Sequence, residues 1–132
     1  MKKVWFRKGG TPHRGWYKGI WVDSSWELAF LMWNLDHGIE IIRNEKKFPY
    51  PFRNGVKYYC PDFIVEGKYV EIKGVMDYRS KRKLSSFPFP IIVIGPKEIE
   101  SYIKYAREMY GHDFYRFIES AKGNIVSYRK EV

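Results

Sequence analysis

The chain has 132 residues, 24 lysines and arginines against 15 aspartates and glutamates (formal net charge +9), and 19 % aromatic residues. This length suits one domain, 1–132, and the basic surplus points to a polyanionic partner, nucleic acid before an anionic membrane surface. A single cysteine, Cys60, excludes an internal disulfide scaffold, no apolar run approaches the ~20 residues of a membrane span, and MKKVWFRKGG lacks the apolar stretch of a signal peptide, so a soluble, cytoplasmic protein is expected.

Residues 1–22 mix cations (Arg7, Lys8, Arg14, Lys18) with Trp5, Phe6, Trp16, Tyr17 and Trp21. Gly9, Gly10, Pro12 and Gly15 argue against a helix, and a basic, aromatic arm or loose hairpin is expected. Ser24-Ser25-Trp26-Glu27 has the spacing of a capping box, serine followed three residues later by glutamate, and predicts a helix from Ser24. The run Trp26–Leu35 is apolar on nearly all sides, which buries that helix, and Gly38 ends it. A strand is expected over Ile39–Arg43. Phe48-Pro49-Tyr50-Pro51 is extended but cannot form a central strand, and Asn54-Gly55 signals a hairpin turn.

Val56–Val65 and Lys68–Lys73 read as paired strands about a tight turn at Glu66-Gly67. Tyr78–Ser86 reads as a strongly basic helix, Ile91–Ile94 as a buried, parallel strand, Lys97–Tyr110 as an amphipathic helix and Asp113–Lys122 as a further helix. The order α-β-β-β-α-β-α implies an α/β (mixed α+β) fold with helices on both faces of a mixed sheet.

The chemistry concentrates in Cys60-Pro61-Asp62 and Glu71-Ile72-Lys73. A two-residue turn at Glu66-Gly67 puts Asp62 opposite Glu71, with facing Cβ atoms about 4.5–5.5 Å apart. Strand alternation puts Lys73 on their face and Phe63, Val70 and Ile72 on the other. Two facing carboxylates repel unless a cation joins them. An all-oxygen donor pair suits magnesium or manganese over zinc. Such an ion could polarise a phosphodiester and activate a water, with Lys73 offsetting charge in the transition state. Read without function, Glu71 and Lys73 are a solvated strand face and Pro61-Asp62 a strand start. The register and the basic chain favour the catalytic reading.

This pattern resembles the PD-(D/E)xK nuclease superfamily, with Pro61-Asp62 as its first half-motif and Glu71-Ile72-Lys73 as its second. The likeness covers roughly residues 20–95. It includes Ser24-Ser25-Trp26-Glu27, similar to the helix start that carries a further acidic residue in many of these enzymes. The resemblance implies a restriction-endonuclease-like core and magnesium-dependent DNA hydrolysis leaving a 5′-phosphate. It also implies a catalytic and metal role for Glu27, whose other reading is the helix cap alone. Among subfamilies it is similar to phage-encoded enzymes, the junction-resolving endonuclease I type and homing or very-short-patch-repair-like nucleases. The substrate is accordingly expected to be branched DNA, or else one site on linear duplex, cut or nicked, in a host cytoplasm if the source is viral. Cutting both strands symmetrically would call for a homodimer. An inactive DNA-binding module of the same fold is the reading from another class. Arg79, Lys81, Arg82 and Lys83, with Arg7, Lys8, Arg14 and Lys18 of the arm, are expected to contact phosphates.

Overall fold

The computed structural model describes residues 13–123. The chain opens with a tight antiparallel hairpin, β1 (Gly15–Tyr17) and β2 (Ile20–Val22). Its residues Tyr17, Ile20 and Val22 lie in the core, so this part of the expected arm is an integral element. Arg7 and Lys8 lie outside the described residues. Gly15 is needed where it stands: φ is +153°, and a Cβ there would lie 2.6 Å from the Ile118 side chain and 2.7 Å from the Glu119 carbonyl oxygen.

Helix α1 (Ser25–Asp36) starts at the predicted cap, with Ser24 accepting a hydrogen bond from the Glu27 N–H. Leu28, Ala29, Leu31 and Met32 are fully buried, as the all-round apolar run requires. There follow β3 (Ile41–Arg43), β4 (Phe48–Phe52), β5 (Gly55–Tyr59), β6 (Phe63–Val65) and β7 (Lys68–Ile72). The expected single strand Val56–Val65 is two strands in different sheets. Its first half pairs with β4 in a two-stranded ribbon, and only Phe63–Val65 pairs with β7. Cys60-Pro61-Asp62 makes the crossing, since proline cannot donate to a ladder. The Glu66-Gly67 turn has positive φ at both residues, the geometry of a tight two-residue hairpin.

Helix α2 (Tyr78–Ser86) is followed by β8 (Ile91–Ile94) and α3 (Pro96–Tyr110). The central sheet has the order β3-β6-β7-β8, with β8 parallel to β7. Strand β8 is an edge strand. Ile92 is 46 % exposed and only Ile94 is buried, because among the described residues no further strand pairs on that side. The helix expected over Asp113–Lys122 reduces to a short 3-10 turn, Phe114–Phe117. Beyond it Glu119 exchanges both backbone hydrogen bonds with Trp16, which pulls the chain out of helical geometry.

The fold is therefore mixed α+β. Helices α1 and α3 pack on each other and on the sheet around Phe63, Val70, Ile72 and Ile94. Helix α2 packs on β4. A second cluster, Tyr50, Phe52 and Tyr59 with Leu84 and Phe87, joins the β4–β5 ribbon to α2. Phe87 and Tyr69, 5.0 Å apart, tie this layer to the central sheet. No helix among the described residues is long and apolar enough to cross a membrane.

Candidate active site

The predicted register is present: Phe63 pairs with Val70 and Val65 with Lys68. Asp62 therefore leads into β6 at the level of Glu71, which stands in β7 on the face opposite Val70 and Ile72. Asp62 extends the ladder with its side chain, Oδ2 accepting from the Ile72 N–H at 2.8 Å. Its backbone is held by Asn44, whose N–H donates to the Asp62 carbonyl at 3.0 Å and whose Nδ2 donates to the Pro61 carbonyl at 2.9 Å. Lys73 Nζ lies 4.0 Å from Glu71 Oε2, and its backbone N–H donates to the Ile94 carbonyl. Asp62 and Glu71 are both buried, at 9 % and 6 % exposure.

Glu27 reaches this cluster from α1. The residue is 1 % exposed, and its carboxylate accepts from the Asp23 N–H at 2.9 Å and from Arg43 Nη1 at 2.6 Å. Arg43 is the hub. From the end of β3 its Nη2 contacts Asp23 at 2.9 Å and approaches Asp62 Oδ1 at 3.6 Å, while its guanidinium carbon lies 5.2 Å from the Phe63 ring centroid. Burial opposes the guanidinium's charge, but the carboxylates of Glu27, Asp62 and Asp23 more than offset it and raise its pKa. Burial works against ionised Asp23 too, yet hydrogen bonds from Arg14 and Trp21 and the charges of both arginines hold its carboxyl below the usual range.

Asp62 behaves in the opposite way. Burial, then the charges of Glu27 and Glu71, push its carboxyl well above the ordinary carboxylate range, against the Ile72 hydrogen bond and Arg43. Tyr59, at the end of the β4–β5 ribbon, has its hydroxyl's pKa pushed far up by burial and by the Glu71 carboxylate beside it. The site thus lies where α1, the central sheet and the ribbon meet.

Among the described residues no three histidine, cysteine, aspartate or glutamate side chains form a group placed to hold a metal ion together. Arg43 takes the Glu27 carboxylate and lies 3.6 Å from Asp62. Asp62 and Glu71 are buried at one level of the β6–β7 hairpin and both supply oxygen donors, the donor type a hard divalent ion takes.

The structure brings together Asp62, Glu71, Lys73 and, through Arg43, Glu27. The expected phosphate contacts are dispersed. Arg14 pairs with Asp23 at 2.8 Å, Lys18 occupies the β1–β2 turn with φ +51°, and Arg79, Lys81, Arg82 and Lys83 lie on α2. The sequence reading missed Arg43 and Asn44. An isolated carboxylate in an apolar helix does call for a cation, but no spacing rule picks Arg43 from 24 basic residues. No family model, no curated protein and no solved structure matches the chain.

Proposed function

We propose that the chain is a divalent-metal-dependent DNA endonuclease with a restriction-endonuclease-like core. One observation carries the reading: two buried carboxylates, Asp62 and Glu71, share the start of a central hairpin with Lys73, next to the basic helix α2. The mixed central sheet β3-β6-β7-β8, with α1 and α3 packed on it, supports the α+β part of this reading.

Asp62 and Glu71 hold the ion in this reading. When bound, it supplies Lewis acidity toward a phosphodiester oxygen and lowers the pKa of a coordinated water. Lys73 faces the Glu71 carboxylate and orients the attacking water while offsetting charge that develops on the phosphate. The water oxygen bonds to phosphorus as the P–O3′ bond breaks, leaving a 5′-phosphate and a 3′-hydroxyl that takes up the proton. The Ile72 N–H keeps Asp62 aimed at the site. Glu27 acts through Arg43, which fixes the position of Asp62 and limits negative charge in the cluster. The rings around Tyr50, Phe52 and Tyr59 anchor α2 beside this centre.

The test is relaxation and linearisation of supercoiled plasmid in magnesium. Asp62→Asn, Glu71→Gln and Lys73→Ala are each expected to lower turnover at least 100-fold at saturating metal, with unchanged circular dichroism. Near-normal turnover in any one of them removes that residue from the mechanism, and full activity in excess chelator rejects the metal pair. A second reading, a DNA-binding module of the same fold without cleavage, is favoured by one contact: Arg43 already brings a cation to Asp62. Tight DNA binding with no cleavage in magnesium or manganese would select it.

A further inference from the structure

Hairpin β1–β2 has two unlike faces. Tyr17, Ile20 and Val22 fill the core, while the cross-strand partners Trp16 and Trp21 lie half-buried on the other side. Their rings meet edge to face with centroids 5.1 Å apart. The Trp21 indole N–H is pinned by Asp23 at 2.9 Å, and Lys122 Nζ stands 5.5 Å from the Trp16 ring centroid. With Ile42, Arg43 and Glu45 these residues line a cavity of about 290 Å³.

Three features narrow its occupant. The walls offer indole rings and the 42 %-exposed Ile42, so the ligand has an apolar or aromatic face. Lys122 supplies a cation at the rim and Glu45 an acceptor, while the Arg43 guanidinium is held by Glu27 and Asp23, so the ligand is polar at its edge with an anionic group toward Lys122. Arg43 is also the residue that pairs with Glu27 and approaches Asp62, so the cavity and the carboxylate centre share a wall. A lipid chain would make no use of the charged rim. An intact duplex cannot present a base face, because its bases are stacked on each other.

We propose that this cavity binds one unpaired nucleobase of a DNA strand, stacked on the Trp16 or Trp21 indole, with the adjoining phosphate toward Lys122. Its role in cleavage, holding a non-duplex strand next to Asp62 and Glu71, rests on the nuclease reading. The base binding itself does not. The substrate class that follows is DNA with an unpaired nucleotide, as in a single strand or at a branch point.

The test is binding of an end-labelled single-stranded oligonucleotide to the full chain without divalent ion, followed by anisotropy. The comparison is the same oligonucleotide with abasic sites throughout. Stacking predicts roughly tenfold weaker binding of the abasic strand. Trp16→Leu and Trp21→Leu should together erase that difference, and Lys122→Ala should weaken both strands alike. A 2-aminopurine in the strand gives a reading that needs no variant: its emission should fall when the wild-type chain binds. Equal affinity for both strands, unchanged 2-aminopurine emission, or a base preference retained in folded Trp16→Leu/Trp21→Leu would overturn the proposal. Plasmid cleavage is scored separately. Base-dependent binding without cleavage supports the pocket and rejects the nuclease reading, whereas cleavage with equal affinities rejects the pocket alone.

Discussion

At the scale of single residues, the site is a contest among buried charges. A carboxyl whose pKa is raised by folding contributes its stability below the unfolded value and loses it as pH rises through the folded one. Asp62 is such a group, so ionised Asp62 destabilises the fold at neutral pH. Asp62→Asn is therefore expected to melt a few degrees above the wild type at pH 8 in chelator, with the gap narrowing as pH falls into the acid range. Magnesium should raise the wild-type melting temperature by mass action and leave Asp62→Asn unmoved. A lower melting temperature for the variant at pH 8 would show that Arg43 and the Ile72 N–H outweigh the burial of the charge. Arg43 gives the complementary case. Removing it takes the guanidinium from the Glu27 carboxylate in a residue only 1 % exposed, and a buried pair broken from one side costs about 3–5 kcal/mol. Arg43→Leu should lose stability of that order in urea titrations, and Arg43→Leu/Glu27→Leu should recover most of it. Additive losses in the double variant would mean that the two side chains are not coupled.

At the scale of elements, two of the cations of α2 hold it in place. Arg79 Nε donates to the Tyr50 hydroxyl at 2.9 Å, and the Lys83 ammonium lies 5.0 Å from the Tyr59 ring centroid, so both brace the helix against the β4–β5 ribbon. Lys81 points to solvent. Replacing Lys81 and Arg82 by alanine should flatten the dependence of log K on log salt by roughly one unit per lost phosphate contact. Arg79→Ala should also cost about 1 kcal/mol of stability through its hydrogen bond. An unchanged salt slope in the Lys81/Arg82 variant would place the DNA on another face. The helix was read from the sequence as the basic run Tyr78–Ser86 with Pro88 beyond its end, and the structure adds its cap, Asp77, which accepts from the Ser80 N–H. The ribbon was only half legible. Pro49 and Pro51 ruled out a central strand, yet nothing local in Val56–Tyr59 shows that it pairs with β4 and leaves β7 to β6.

At the scale of the whole molecule, the basic residues are spread over α2, the first hairpin and α3, and are not gathered on one groove-sized helix. A four-way junction presents phosphates of two duplexes at once and satisfies more of such a distribution than a single rod. Preferential cleavage of a junction over a linear duplex of the same arm sequences is expected at near-physiological salt, where nonspecific binding is weak. Equal cleavage of both at one reproducible sequence position would favour a site-specific enzyme on linear DNA.

The sequence by itself determined what short-range rules can encode. The Ser24 cap marked the start of α1, and the Glu66-Gly67 turn with strand alternation was enough to set Asp62 level with Glu71, because a two-residue turn leaves one register available. It also determined the parallel strand over Ile91–Ile94, though not its place at the sheet edge. Only the tertiary structure decided the partner of Glu27. Arg43 lies 16 residues further on in another element, and a long-range ion pair leaves no periodic trace in a chain. The same holds for the end of the chain's described part. Asp113–Lys122 has helical composition, but the backbone pairing of Glu119 with Trp16 overrides that propensity, and Lys122 lies at the cavity.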